Sequence, residues 1–221
     1  ILCIVAHPDD EALGPGGTLI KHSLESDKVN VIIFSDGEGA KKTIEQKNTK
    51  RLQAAQSWCK ITGCKLLDIK DFPDQKLDTV PQIELVSIIE KVIDDIEPDI
   101  VYIHNPTDIN KDHQIIADAS LVALRPMRLG SKLPEIRAFE TPSSTEQSPN
   151  TSKYVFLPNL YVSITSLWDK KIQALECYKK ELGEFPHPRS IKSLEALAIK
   201  RGTESGLEKA EAFIVLKKVV K

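Results

Sequence analysis

The chain has 221 residues, 41% hydrophobic and 28% charged, with a formal net charge of −2. That balance suits a globular domain with a real core and offers no basic footprint for nucleic acid or an anionic membrane. No apolar run approaches the roughly 20 residues that span a bilayer, so no transmembrane segment is expected.

The elements alternate from the start. Ile1–Ala6 reads as a strand, and because the pattern opens inside it and the only methionine is Met127, the natural start is expected upstream, leaving a leader open. A glycine turn, Gly14-Pro15-Gly16-Gly17, leads into a helix over Thr18–Leu24. Val29–Ser35 is a second strand, ending at Asp36-Gly37. A long helix is expected from about Thr43 to Thr62, with Leu52, Ala55 and Cys59 on one face and Trp58 in the core. Lys65–Ile69 is a third strand. The helix over Pro81–Ile96 places Ile83, Val86, Ile89 or Glu90, and Ile93 at the 3.6-residue period, with Pro81 in its first turn. Ile100–Ile103 is a fourth strand and His113–Leu124 a further helix. Beyond it the pattern is less regular. Pro134–Glu140 and Tyr154–Phe156 read as strands, separated by a long Ser/Thr/Pro-rich loop, Thr141–Ser152. Thr165–Leu182 and Ile191–Arg201 read as helices, and Ala212–Val220 as a closing strand.

Apolar strands alternating with amphipathic helices predict a Rossmann-like, three-layer α/β sandwich with a mostly parallel sheet. A smaller, irregular C-terminal region follows it. We expect one domain over 1–221, with a metal-site half (1–125) and a substrate-covering half (126–221). Ligands of such sheets bind beyond the carboxyl ends of the strands. His7, Asp36, Phe72-Pro73-Asp74 and the segment His104–His113 all follow strands and should share that rim.

The most informative segment is His7-Pro8-Asp9-Asp10-Glu11. His7 and Asp10, three residues apart at a strand end, can converge on one divalent metal, while Asp9 points elsewhere and is free for proton transfer. Glu11 is read as a brace for the turn. His113 can supply the third ligand, and its neighbour Asp112 is placed behind the ligands to orient them. The plain alternative is that Asp9 and Asp10 only cap a helix. The four cysteines, Cys3, Cys59, Cys64 and Cys177, match no zinc-knuckle spacing and read as reduced thiols of a cytoplasmic protein.

Ala6-His7-Pro8-Asp9-Asp10-Glu11 and Asp112-His113 resemble the LmbE/PIG-L family of zinc-dependent N-acetylglucosaminyl deacetylases. The similarity continues through Phe72-Pro73-Asp74, Thr141–Glu146 and Pro186-His187-Pro188-Arg189-Ser190, and so covers most of the chain. The resemblance implies Zn²⁺ on His7, Asp10 and His113, other first-row divalent metals also suiting these donors. It implies Asp9 as general base, and release of acetate from an N-acetylglucosamine-type glycoconjugate or surface-polysaccharide precursor. Arg51 matches an arginine that relatives use toward the sugar, a surface ion pair being its other use. Asp36 is expected to line the sugar pocket together with Gly37-Glu38-Gly39. The chain departs at Asn110, where many relatives carry a histidine that polarises the substrate carbonyl. Asn110 keeps a hydrogen-bond donor there, and His187, between two prolines, is the leading substitute for the imidazole, from its own chain or from a neighbour in a homo-oligomer. His104 is ranked below it. An amidase or phosphoesterase acting on a non-sugar substrate, and a non-catalytic sugar binder, are the alternative functions.

Overall fold

A computed structural model describes residues 1–37 and 49–220. Its sheet has seven strands in the order β3-β2-β1-β4-β5-β7-β6. β1 (Leu2–Val5) and β2 (Asn30–Ser35) are buried at every position. Their side chains explain why. Leu2 and Ile4 face one core with Ile32 and Phe34, while Cys3 and Val5 face the other with Val31 and Ile33. A strand covered on both faces has no polar side, so it reads as a continuous apolar run.

The helices form the outer layers. α1 (Asp10–Leu13), α2 (Gly16–Leu24), α3 (Thr49–Thr62), α7 (Trp168–Leu175) and α8 (Ile191–Thr203) cover the face that holds Trp58, Trp168 and Tyr178. α4 (Gln82–Ile96) and α5 (Lys111–Ala123) cover the other through Leu85, Ile89, Ile93 and Ile116. A short α6 (Pro126–Leu129) follows α5. β1 pairs in parallel with both β2 and β4 (Ile100–His104), and β3 (Lys65–Phe72) and β5 (Glu135–Phe139) extend the parallel sheet at either side. β7 (Ala210–Lys217) runs antiparallel to β5 and to β6 (Leu160–Ser163). This is the expected mixed α/β sandwich.

The chain leaves β1 toward β2 and β3 on one side, and returns through β4 and β5 on the other. The switch between β1 and β4 opens a crevice beyond their carboxyl ends, where such sheets bind ligands.

Several expected elements differ. The part of the long helix before Thr49 lies outside the described residues, as do Glu38 and Gly39. Ile83 is 68% exposed, and Leu52 40%. The buried stripe of α4 keeps the expected Val86, Ile89 and Ile93 but begins at Leu85 rather than Ile83. Tyr154–Phe156 is not a strand; the strand beyond the long loop is β6, whose pairing partner lies some fifty residues downstream. The expected helix over Thr165–Leu182 is α7 between two short 3₁₀ turns. Among the described residues, no helix is long and apolar enough to cross a membrane.

One remote contact shapes the loop after β1. α2 starts with Gly16, and Pro15 gives it no side-chain cap. Glu211 of β7 supplies one: its Oε1 accepts from the Gly17 N–H (2.7 Å), and its Oε2 from the Thr18 N–H (2.7 Å) and hydroxyl (2.6 Å). A carboxylate at a helix N-terminus satisfies free donors and complements the helix dipole. Lys171 of α7 neutralises it at 2.7 Å and also donates to the carbonyls of Leu13 (3.1 Å) and Gly14 (3.3 Å). A side chain on Gly17 would sit 2.8 Å from Ile164 and 2.9 Å from Glu211, so only glycine admits this cap.

Candidate active site

The site begins one residue beyond β1. The His7 backbone N–H donates to Asp10 Oδ2 (2.9 Å), closing a tight turn that brings both side chains to the crevice. Asp9 sits between them with φ 109°, left-handed backbone that aspartate tolerates better than most residues. Glu11 holds that conformation. Its Oε2 accepts from the Asp9 N–H (3.1 Å) and its Oε1 from the Tyr178 hydroxyl. Burial pushes the Glu11 carboxyl up to about 8, against the pull of the Tyr178 hydroxyl.

Asp10 Oδ2 lies 3.3 Å from His7 Nδ1 and 3.4 Å from His113 Nε2, and all three residues are buried. Donors about 2.0–2.2 Å from a tetrahedral Zn²⁺ stand roughly 3.3–3.6 Å apart. The spacing therefore fits one small divalent ion. The far nitrogens are held by carboxylates. His7 Nε2 faces Asp112 Oδ2 (3.1 Å) and Asp74 Oδ1 (3.2 Å), and His113 Nδ1 faces Asp108 Oδ1 (3.4 Å). Such partners fix the tautomer and orientation of a ligating histidine. Asp112 is fixed in turn by the backbone N–H groups of Gln75 (2.7 Å) and Leu77 (3.1 Å), and Asp108 by the hydroxyls of Ser144 and Thr145.

The carboxylates around the trio favour positive charge. Burial alone would strip His113 of its proton, but Asp10 and Asp108 outweigh it and push the imidazole up to about 9. His7 is likewise raised despite its burial, by Asp10, Asp112 and Asp74. Asp10 is held well below the usual carboxylate range, because His113 and His104 overcome its desolvation. A dication would answer the same negative field after displacing protons from the imidazoles.

Two other groups offer metal-type donors. His7, Asp74 and Asp112 share His7 with the first cluster, but backbone N–H groups already engage Asp112. His22, Glu25 and Asp27 lie apart toward solvent, with His22 Nδ1 bound to Asp27 at 2.7 Å.

Asp9 is 2% exposed and pairs with arginines. Its Oδ2 accepts from Arg189 Nη1 (2.9 Å) and lies 3.8 Å from Arg51 Nη2. Its Oδ1 has no partner among the described residues. Burial pushes the Asp9 carboxyl up to about 6, with Arg189 opposing and Asp10 adding to the rise. Arg51, in the first described turn of α3, forks onto Glu181 and donates to the Gly37 carbonyl (2.9 Å). It thus forms an ion pair, as the sequence allowed, but in a half-buried setting beside Asp9, and it ties the end of β2, with half-buried Asp36, to the same rim.

Asn110 is half-buried and caps α5: its Oδ1 accepts from the Asp112 N–H (2.9 Å). His187 is exposed, and its Nδ1 accepts from the Arg189 N–H (3.1 Å). From that segment the side chain that reaches Asp9 is Arg189. His104 lies closer to the ligands than its low ranking suggested. It is fully buried, stacks on His113 with ring centres 3.9 Å apart, and accepts from the Ala6 N–H (3.0 Å). Burial and the neighbouring His113 lower it to about 4, so it is a neutral brace between the ends of β1 and β4. Glu211 carried no sequence signal of a role, Asp108 only its place in the strand-end segment, and Arg189 only its place in the Pro186–Ser190 segment of the resemblance. Asp74 had only its place on the strand-end rim.

Fold and site together define an α/β protein with a His–Asp–His cluster of metal-binding type and a neighbouring arginine-paired carboxylate at the switch point of the sheet. The chain belongs to the PIG-L family, described as GlcNAc-PI de-N-acetylase, which residues 2–124 match. It is 26% identical over 185 residues to the uncharacterized deacetylase YaiS of Escherichia coli, covering 81% of this chain and 90% of that protein. It is 24% identical over 224 residues to the diacetylchitobiose deacetylase of Thermococcus kodakarensis, covering 96% and 81%. The crystal structure of GalB, the 4-carboxy-2-hydroxymuconate hydratase of Pseudomonas putida, shares the fold with a TM-score of 0.76. Its sequence identity is 21%, covering 100% of this chain and 97% of that one.

Proposed function

We propose that the protein is a metal-dependent N-deacetylase that hydrolyses the acetamido group of an N-acetylglucosamine-type sugar to a free amine and acetate. The observation that carries this reading is the juxtaposition of His7 Nδ1, Asp10 Oδ2 and His113 Nε2 at ion-binding spacing with the open Oδ1 of Asp9. Zn²⁺ is the ion these donors suit best, and it would supply Lewis acidity toward the amide carbonyl and acidify a water. Asp9 does the proton work. Its Oδ1 takes a proton from the attacking water and then delivers it to the departing nitrogen. Arg189 and Arg51 hold the other oxygen, so the carboxylate presents one fixed edge. Asp112 and Asp108 keep the ligating histidines in register. Asp36 and the Gly37 backbone, tied to Arg51, line the approach for the sugar. The deacetylase relatives support the amide substrate.

The fold shared with a hydratase favours a second reading, in which the same base and ion add water to an activated double bond. The product separates the two. Zinc-loaded protein incubated with N-acetylglucosaminides should release acetate, and Asp9→Asn should keep its metal while turnover falls about 10²–10⁴-fold, the scale of a lost general base. Undiminished activity after complete chelation, or near-normal turnover in Asp9→Asn, refutes the proposal.

A further inference from the structure

Hydrolysis of an amide places negative charge on the carbonyl oxygen, and a preorganised donor for that charge is usually the largest single contribution to rate. The histidine that the resemblance leads one to expect is absent here. Asn110, at its position, spends its side-chain oxygen on the Asp112 N–H. His104 is buried and neutral, its Nε2 accepting from Ala6 and its Nδ1 meeting the Thr141 hydroxyl at 3.3 Å, so it has no proton to offer outward. His187 faces solvent and accepts from backbone. Arg51 is committed to Glu181 and Gly37.

Arg189 differs from all of these. Its backbone is set by His187, and Ser190 immediately after it caps α8 through the Ser193 N–H (3.1 Å). Its guanidinium uses Nη1 on Asp9 (2.9 Å) and Nε on the Ser143 hydroxyl (2.6 Å), while Nη2 has no partner among the described residues. The side chain is 20% exposed, so one edge opens toward solvent. Ser143 is itself held, in left-handed backbone at φ 71°, by its N–H bond to Glu146 (2.6 Å).

We propose that Arg189 is a catalytic residue, donating to the carbonyl oxygen as the amide carbon becomes tetrahedral; this rests on the deacetylase reading above. A water held by Asp9 lies about 3 Å from that carboxylate, and Arg189 Nη1 touches the same carboxylate at 2.9 Å, so attacking water and guanidinium gather around one side chain. The charge moves in the right direction. The water oxygen forms the new C–O bond, its proton goes to Asp9, and the carbonyl π pair becomes the oxyanion. Negative charge thus passes from Asp9 to the substrate oxygen. The cation already beside Asp9 is released to follow it. When the pair returns and the C–N bond breaks, the proton on Asp9 goes to the nitrogen, and Arg189 recovers its first partner. A guanidinium, always charged and forked, serves both partners in turn.

The test compares Arg189→Ala and Arg189→Lys with wild type as full, zinc-loaded chains. Metal content and Tm are measured first. Then kcat and KM are measured on the β-methyl glycoside of N-acetylglucosamine, along with the affinity for its methylphosphonamidate, a tetrahedral anion, and for the free amine product. Arg189→Ala should lose about 10²-fold in kcat, with KM within about threefold, and should bind the phosphonamidate about 10²-fold more weakly. Amine binding and metal content should not change. Arg189→Lys keeps the charge and should recover part of both losses, which preserves the test if the alanine variant folds poorly. A fall in kcat with undiminished phosphonamidate affinity would show that Arg189 only holds Asp9, and no fall in either would remove it from the reaction. Wild-type protein that hydrolyses no N-acetylglucosaminide would instead overturn the deacetylase reading beneath it.

Discussion

Glu211→Gln should destabilise the whole chain, although residue 211 lies far from the proposed reaction. Glu211 receives four donors, two on each oxygen: Gly17 N–H and Lys171 Nζ on Oε1, Thr18 N–H and hydroxyl on Oε2. Glutamine has one oxygen and one NH₂. Whichever way the amide turns, the NH₂ faces a backbone N–H with no acceptor. The Lys171 ammonium, with only 6% of its side chain exposed, loses its countercharge. Removing one partner of a buried pair costs about 3–5 kcal/mol. For a chain of this size that is a drop in Tm of about 6–20 °C. Thermal melts and urea titrations with an unchanged m-value would measure it. A Lys171→Met background supplies the control, because the two changes should couple by at least about 1 kcal/mol. A drop below about 3 °C, or full additivity with Lys171→Met, would show that the cap and ion pair do not carry the energy assigned to them.

His113→Ala should lose most of the bound metal, since two donors hold zinc poorly; elemental analysis at full occupancy would contradict the ligand assignment. Zinc affinity should rise with pH. His113, pushed up to about 9, must shed its proton to ligate, so between about pH 6 and 9 affinity should climb roughly tenfold per unit for each proton released, and a flat titration by calorimetry would refute this. Tyr178→Phe leaves a buried Glu11 oxygen without its donor and should cost about 1–3 kcal/mol, read from urea midpoints, with a loss below that range disproving the bracing role.

The central sheet was legible because its strands are apolar on both faces and its helices carry one stripe each. The grouping of His7, Asp10 and His113 was legible because His7 and Asp10 belong to one turn and His113 lies in the first turn of a helix just beyond a strand. What could not be read is what reaches in from afar. Arg189 lies 180 residues from Asp9, and Glu211 194 residues from Gly17. Nothing local distinguishes Glu211 from an ordinary surface charge, and the segment around Arg189 drew attention to His187 instead. β6 escaped for the same reason: its four residues become a strand only by pairing with β7, while the apolar Tyr154–Phe156 segment that imitated a strand has no such edge to join. Ile83 shows the limit of periodicity, which fixes the pitch of a stripe but not where it begins.

The braces of the first loop also set a timetable. Tyr178 grips Glu11, Lys171 grips Leu13 and Gly14, Arg189 grips Asp9 and Glu211 caps α2, all across more than 150 residues. During synthesis His7 and Asp10 are made more than 150 residues ahead of the side chains that lock their geometry. Long-range closure of this kind is slow. On the proposed reading, the His7–Asp10 motif alone would be a loose chelator, and tight metal capture would come only once these distant braces close.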